Sequence, residues 1–474
     1  MSEDILFSVM TEREAVFFSE IARRLRKDGF SSAFVAYHEA AERYVEKAGF
    51  PAYSLHKLRD KYLNNGSSDS NETAETEFGL DHFQSVYWHE MLTTRRRDDV
   101  AHQQKSLASL RVFENILTGN DFKCVVQELG GFIAPQALFY AARKSKIPHV
   151  FIEPAMFPKR VVFTCDSFYC DIPSTASAEP APPELKPYIE NYFKNRPVVI
   201  PHKDRTQFAD MTLRKLLTFH NFKRLFRKAY HKYVTGEREE YNALGSYVFA
   251  HVMRWYRRKI LWAFYNEPKP GERYVYFPLH VPLDFQLTVR CPEFLNQEAI
   301  IQQLAYSLPP GYKLYVKEHP AAIGAHSLLR FWGVLRSLNT RLIHPKQNSF
   351  NLIRNAQAVI TINSKVGSEA LLQTKPLLVL GKTYYRGKGL TVDVANLAEL
   401  PQKIREVLEW TPQEKEVERF LTRVWNWSSP GELYETSSEN LEKFYLSLRQ
   451  YLSTIGVSPN EAKTVSATSS ANRR

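Results

Sequence analysis

Two clusters in the chain have the residue types and spacing that bind phosphate. The first is Lys317-Glu318-His319-Pro320, directly after the apolar run at 313–316. Proline stops a strand, which leaves His319 at its carboxyl edge. Lysine there supplies charge, and an imidazole N–H donates a hydrogen bond whether the ring is neutral or charged. The second cluster runs from Thr361 to Leu372, where an apolar segment turns through Asn363, Ser364 and Gly367 into a helical pattern. A turn hydroxyl and the first amides of a helix together form an anion site. Glu369 falls in the first turn of that helix, where an acid either complements the helix dipole or holds a ribose diol. His280 closes a further apolar run. Tyr384 and Tyr385 follow Gly381, where a ring packs on a base or sugar or on the core.

Proton transfer or nucleophilic attack needs a carboxylate from elsewhere in the chain. Glu153 follows one apolar run and Glu128 closes another, just before Gly130-Gly131. Either residue can do this work, and each can equally be a paired or capping acid. Glu12 and Glu14, after the first apolar run, are weaker candidates. No Asp-x-Asp stands where a metal on a diphosphate would be held, so no essential metal and no cofactor are expected. The four cysteines, Cys124, Cys165, Cys170 and Cys291, show no C-x-x-C and no zinc spacing.

These residues need strand ends to hold them, and the hydropathy pattern supplies strands. Runs at 5–10, 33–36, 123–128 and 149–153 read as strands. Between them, apolar residues recur at helical spacing over 15–26, 40–48 and 135–144. Strand alternating with helix predicts a parallel sheet covered on both faces. A second such unit has strands at 274–278, 313–317, 341–343, 358–362 and 377–380, with helices at 293–307, 326–337, 350–355 and 367–373. Residues 64–78 are polar and read as a surface loop, and 399–454 read as helical. In an open parallel sheet, ligands bind beyond the carboxyl ends of the strands. His280, Lys317, His319 and Ser364 all fall there.

The expected organisation is an N-terminal domain at 1–200, a basic helical insertion at 201–270, a C-terminal domain at 271–410, helices at 411–454 and a disordered tail at 455–474. The insertion sets Arg214, Lys215, Lys223, Arg224, Arg227 and Lys228 among Leu216, Leu217, Phe222, Leu225 and Phe226. A basic amphipathic segment of this kind commonly lies on anionic lipid.

The chain has 474 residues, 44% hydrophobic and 24% charged, which suits a folded protein and excludes a disordered one. Lys and Arg number 63 against 51 Asp and Glu, a net charge of +12 that points to an anionic partner. No nucleic-acid module is recognisable, so no nucleic-acid partner is expected. The acidic start MSEDILFSVM and the lack of a long apolar run suggest a cytoplasmic protein, and the basic insertion suggests peripheral contact with the inner membrane face.

KEHP, followed by INSKVGSEALLQTKP and LGKTYY, resembles the capsule polysaccharide biosynthesis family, which includes the Kdo transferases, roughly over 276–390. The first domain is similar more loosely, through VQELGG at 126–131 and FIEPA at 151–155. The resemblance implies a GT-B fold, two Rossmann-like domains facing a cleft. It implies a glycosyltransferase that moves a sugar, Kdo or another acid sugar, from a nucleotide donor of CMP type to a glycan or glycolipid acceptor. His319 and Ser364 then match donor-phosphate contacts, and Glu369 matches the acid that binds the donor ribose. A sugar-nucleotide epimerase, a CDP-polyol phosphotransferase and a non-catalytic glycan-binding subunit share this architecture and remain alternatives.

Overall fold

The fold is that of a computed structural model. It describes residues 3–64, 71–94, 98–172, 181–195 and 244–459, with the single positions 202, 223, 226, 227, 229, 230, 233, 234 and 240 between them. The first unit holds β1 (Ile5–Val9), β2 (Ser32–Ala36), β3 (Ala52–Ser54), β4 (Cys124–Glu128), β5 (His149–Pro154) and β6 (Arg160–Cys165). The second holds β7 (Tyr274–Pro278), β8 (Lys313–Lys317), β9 (Thr340–Ile343), β10 (Ala358–Thr361), β11 (Leu377–Val379) and β12 (Val392–Asp393).

In space the first sheet runs β6-β5-β4-β1-β2-β3 and the second β12-β11-β10-β7-β8-β9. Both are Rossmann orders, with the chain reversing direction between β1 and β4 and between β7 and β10. The second sheet is parallel throughout. The first is parallel from β3 to β5 and turns antiparallel at β6. Central strands such as β1 and β10 are fully buried, which is why they read as continuous apolar runs rather than alternating ones. Two Rossmann-like units of this kind make the α/β fold that the sequence implied.

The chain does not divide in space as simply as along its length. After the helices Leu400–Glu409 and Glu414–Trp427, β13 (Ser429–Pro430) pairs antiparallel with β6 and so joins the first sheet. The helix Ser438–Thr454 then packs on the helix Glu12–Lys27, with Phe17 and Phe444 ring centroids 4.9 Å apart. Leu441, Phe444, Leu448 and Leu452 thus belong to the first unit's core. Val417, Phe420, Leu421 and Val424 pack in a core with the second.

Two local expectations change, and one helix stands where none was expected. Residues 64–78 do not form a loop throughout, because Asn71–Phe78 is a helix that buries Ala74 and Phe78. The expected helix 293–307 breaks, and its regular part, Gln297–Ser307, starts where the Asn296 side chain accepts from the Ala299 amide. The helix Asp99–Thr118 had no sequence expectation. Its buried residues, from His102 and Ser106 to Ile116 and Leu117, leave no simple apolar stripe to read.

Of the basic insertion, Arg214, Lys215, Leu216, Leu217, Phe222, Arg224, Leu225 and Lys228 lie outside the described residues, as does most of the expected tail. Lys223, Phe226 and Arg227 are described and exposed.

Candidate functional site

Three neighbouring strands of the second sheet, β8, β7 and β10, end in His319, His280 and the Asn363-Ser364 turn. Adjacent strands lie about 4.8 Å apart, so these residues form a short polar row at the switch point. Pro320 ends β8 and begins a 3-10 turn capped by His319, whose Nδ1 accepts from the Ala321 amide at 3.2 Å. That bond leaves the ring proton on Nε2. Burial, and then the Lys317 charge, push the His319 pKa down to about 4, so the ring is neutral at physiological pH. His280 is buried, with no partner for its Nε2. Burial first and His319 second hold it down at about 3.

Lys317 points inward. Its Nζ donates to the Gln347 carbonyl at 2.7 Å and the Ser349 hydroxyl at 2.8 Å, and the residue is 4% exposed. Burial lowers its pKa to about 8, opposed by Glu369. Glu369 is itself pushed up to about 7 by burial, with Lys317 and Lys365 acting the other way. The two charges therefore act on one another.

The turn is braced from below. Ser364 caps the helix Lys365–Leu372, its hydroxyl accepting from the Val366 amide at 3.2 Å. The Tyr385 hydroxyl donates to the Ser364 carbonyl at 2.6 Å. Tyr385 is fully buried, so it is a strut and not a platform for base or sugar. Gly367 serves the same packing, since a Cβ there would overlap the Tyr385 hydroxyl. Asn363 ties the turn to the short helix Phe285–Thr288 and to Cys291, its Nδ2 donating to the Gln286 carbonyl at 3.0 Å and to Cys291 Sγ at 3.3 Å.

The first sheet presents carboxylates. Glu153, at the end of β5, accepts from Arg290 Nη2 at 2.7 Å and Nη1 at 3.2 Å, and from the Cys170 thiol. Burial works to raise its pKa, but the Arg290 charge and hydrogen bonds prevail and hold it below the usual value. Glu128, at the end of β4, accepts from the Tyr434 hydroxyl. Glu14 completes a capping box with Thr11, its carboxylate accepting from the Met10 amide at 2.7 Å. Burial, then the charge of Glu128, push Glu14 up to about 7. Glu14 and Glu128 flank the first sheet's switch point. Gly131 does not open backbone to a ligand. A Cβ there would come within 2.7 Å of the His89 ring, which packs into that space.

Between the units lies a cavity of about 310 Å³. Glu153, Tyr169 and Cys170 line it from one side, and Arg290, Asn363, Lys365, Lys382 and Tyr384 from the other, with Trp427 from the C-terminal helices. Lys365 Nζ reaches the Ala155 carbonyl at 3.3 Å, and Lys382 Nζ lies 5.0 Å from the centre of the Tyr169 ring. Arg290 neutralises Glu153, and Lys388 pairs with Asp171 at 3.0 Å, so the cavity is net cationic with aromatic walls. Sequence reasoning missed Arg290, Lys382 and Tyr434. Lys382 was legible from its place after β11, whereas Arg290 and Tyr434 meet their partners only through the fold. Among the described residues, no three His, Cys, Asp or Glu side chains group as metal ligands, and no helix is long and apolar enough to cross a membrane.

Residues 178–407 match the family described as capsule polysaccharide biosynthesis protein. The chain is 30% identical over 167 residues to Protein FixF of Sinorhizobium fredii, covering 33% of this chain and 38% of that protein. It is 32% identical over 143 residues to the capsule polysaccharide export protein KpsS of Escherichia coli, covering 28% of this chain and 36% of that protein. The matches therefore span well under half the length of these relatives. Among solved structures, the beta Kdo 2,7 transferase of Thermosulfurimonas dismutans KpsC aligns with a TM-score of 0.35 at 12% identity, over 72% of this chain and 89% of that one.

Proposed function

We propose, for a chain whose residues 178–407 belong to the capsule polysaccharide biosynthesis family, that the protein is a glycosyltransferase. In this reading it moves an acid sugar from a CMP-linked donor to a glycan or glycolipid acceptor. The observation that carries the reading is the meeting of strand ends from both sheets, Glu153 and Asn363, in one cationic, aromatic-walled cavity beside the His280–His319–Ser364 row.

The donor phosphate lies over that row. Neutral His319 donates from Nε2, and the Ser364 turn and the amino end of the helix Lys365–Leu372 supply further positive potential. Glu369, titrating near 7, both donates to and accepts from a ribose diol. A cavity of about 310 Å³ suits a sugar ring rather than a whole nucleotide sugar. Lys365 and Lys382 attract the sugar's carboxylate, and Tyr384 and Trp427 pack on the ring.

In the transfer, the bond from the anomeric carbon to phosphate oxygen breaks as the acceptor oxygen bonds to that carbon. The acceptor proton passes to a carboxylate. Glu153 is occupied by Arg290, so the reading gives this step to Glu128 at the end of β4. Glu153 then serves to hold the two units in register.

A thermal-shift screen against CMP, UDP, GDP and CDP tests donor recognition, since a ligand of the folded state raises its stability. The reading expects the largest shift with CMP and its loss in His319→Ala. No shift with any nucleotide contradicts it.

A further inference from the structure

Among the described residues, the helix Leu244–Leu261 and the 3-10 turn Trp262–Phe264 meet the second unit along one side. Arg254 donates to the Ala321 carbonyl at 2.5 Å and Arg257 to the Ala325 carbonyl at 3.2 Å, which docks the helix on the loop after His319. Gly324 permits the close approach. It has φ +73°, and the nearest atom to a Cβ there would be the Arg254 carbonyl oxygen, at 2.5 Å.

The opposite side is exposed and apolar. Phe249, Val252, Tyr256 and Lys259 follow at intervals of three, four and three residues, a single stripe along an α-helix. Phe249 is 54% exposed, Tyr256 52% and Trp262 48%. The surface continues onto a second element, because the Phe264 and Trp332 ring centroids are 6.2 Å apart. On the helix Leu328–Leu335, Leu329 is 89% and Trp332 53% exposed.

Cations outnumber acids around this surface, where Glu267, held by Gln347, is an exposed carboxylate. Residues 244–264 include Arg254, Arg257, Arg258 and Lys259 and no Asp or Glu. Arg330 and Arg336 are exposed beside Leu329 and Trp332, and Lys346 sits 5.8 Å from the Trp262 ring centre. The surface thus presents aromatic and aliphatic groups ringed by an excess of cations. Tyr and Trp at a water–lipid boundary, flanked by Lys and Arg, are what an anionic bilayer surface accommodates.

We propose that the surface formed by Phe249, Val252, Tyr256, Trp262, Leu329 and Trp332 docks the protein on an anionic lipid bilayer. The aromatic rings enter the headgroup layer, and Lys259, Arg330 and Arg336 face the lipid phosphates. The proposal stands apart from the transferase reading and places the contact on the second unit, next to the His319 loop.

The test is co-sedimentation of the full chain with vesicles of phosphatidylcholine alone or mixed with phosphatidylglycerol, at low and high salt. Wild type should pellet with the mixed vesicles and be released by salt. Lys259→Gln/Arg330→Gln/Arg336→Gln should bind at least tenfold more weakly, from roughly fivefold per cation near the surface. Tyr256→Ser/Trp332→Ser should also lose binding. Both variants should keep the wild-type nucleotide thermal shift, a measurement that reports on the transferase reading alone. Failure of wild type to pellet with mixed vesicles, or equal pelleting of wild type and both variants, overturns the proposal. So does sedimentation velocity showing a dimer that Tyr256→Ser/Trp332→Ser dissociates, because the face would then be covered by a second copy.

Discussion

Arg290 of the second unit grips Glu153 of the first with two hydrogen bonds, at 2.7 and 3.2 Å, on the wall of the cavity between them. Arg290 Nε also donates to the Phe168 carbonyl at 2.6 Å, so one side chain ties the second unit to two points of the first. Removing the guanidinium leaves a mostly buried carboxylate without its main partner. Arg290→Gln should destabilise the protein by about 3 kcal/mol. Adding Glu153→Gln should recover part of that loss, as read by urea unfolding.

The same pair sets an acid limit. Glu153 is held below its ordinary 4.5, so it binds fewer protons in the folded chain than in the unfolded one. Its contribution is complete above about pH 5 and disappears as the pH falls through the folded-state value. As the pH falls below about 5, wild type should lose stability more steeply than Glu153→Gln/Arg290→Gln.

Glu14 has the opposite sign. It titrates near 7 in the folded chain against 4.5 ordinarily, so the folded state holds the extra proton between those values. Its contribution to stability therefore declines as the pH rises from 4.5 to 7. Unfolding measured from pH 5 to 8 should show a flatter profile for Glu14→Gln than for wild type. A parallel pair of profiles would mean that Glu14 does not carry the raised titration that burial gives it.

The sequence carried the strand ends well and their partners poorly. His280, His319 and Ser364 were placed at carboxyl edges because buried parallel strands read as short apolar runs with a definite stop. Tyr385 was open between ligand and core, and only its bond to the Ser364 carbonyl shows it to be a strut. Gly367 looked like part of an anion-binding turn but makes room for that tyrosine. The C-terminal helix showed its helical pattern without showing where it docks, since Phe444 and Phe17 are far apart in sequence. No local pattern encodes such a pairing.

The strut gives its own prediction. Gly367→Ala forces a methyl against the Tyr385 hydroxyl and disturbs the Ser364 turn. It should lower stability by about 1–3 kcal/mol and weaken nucleotide binding. Calorimetric unfolding and nucleotide titration of one variant measure both, and a loss in neither would mean that the turn is not braced in this way.

His319 bears most directly on donor binding. A hydrogen bond to a charged group contributes about 1.5–3 kcal/mol, so His319→Ala should lose roughly ten- to a hundredfold in donor affinity while remaining folded. Isothermal titration with CMP, paired with circular dichroism, checks both halves of that statement.

The central claim is sugar transfer, and product analysis tests it most directly. The full chain is incubated with CMP-Kdo or UDP-N-acetylglucosamine, with and without a lipid-linked oligosaccharide, and the products are resolved by mass spectrometry. The account predicts CMP release with an acceptor extended by one acid-sugar residue, abolished in Glu128→Gln. An isomerised UDP-sugar formed without acceptor, or an unmodified acceptor alongside intact CMP-Kdo, would contradict it.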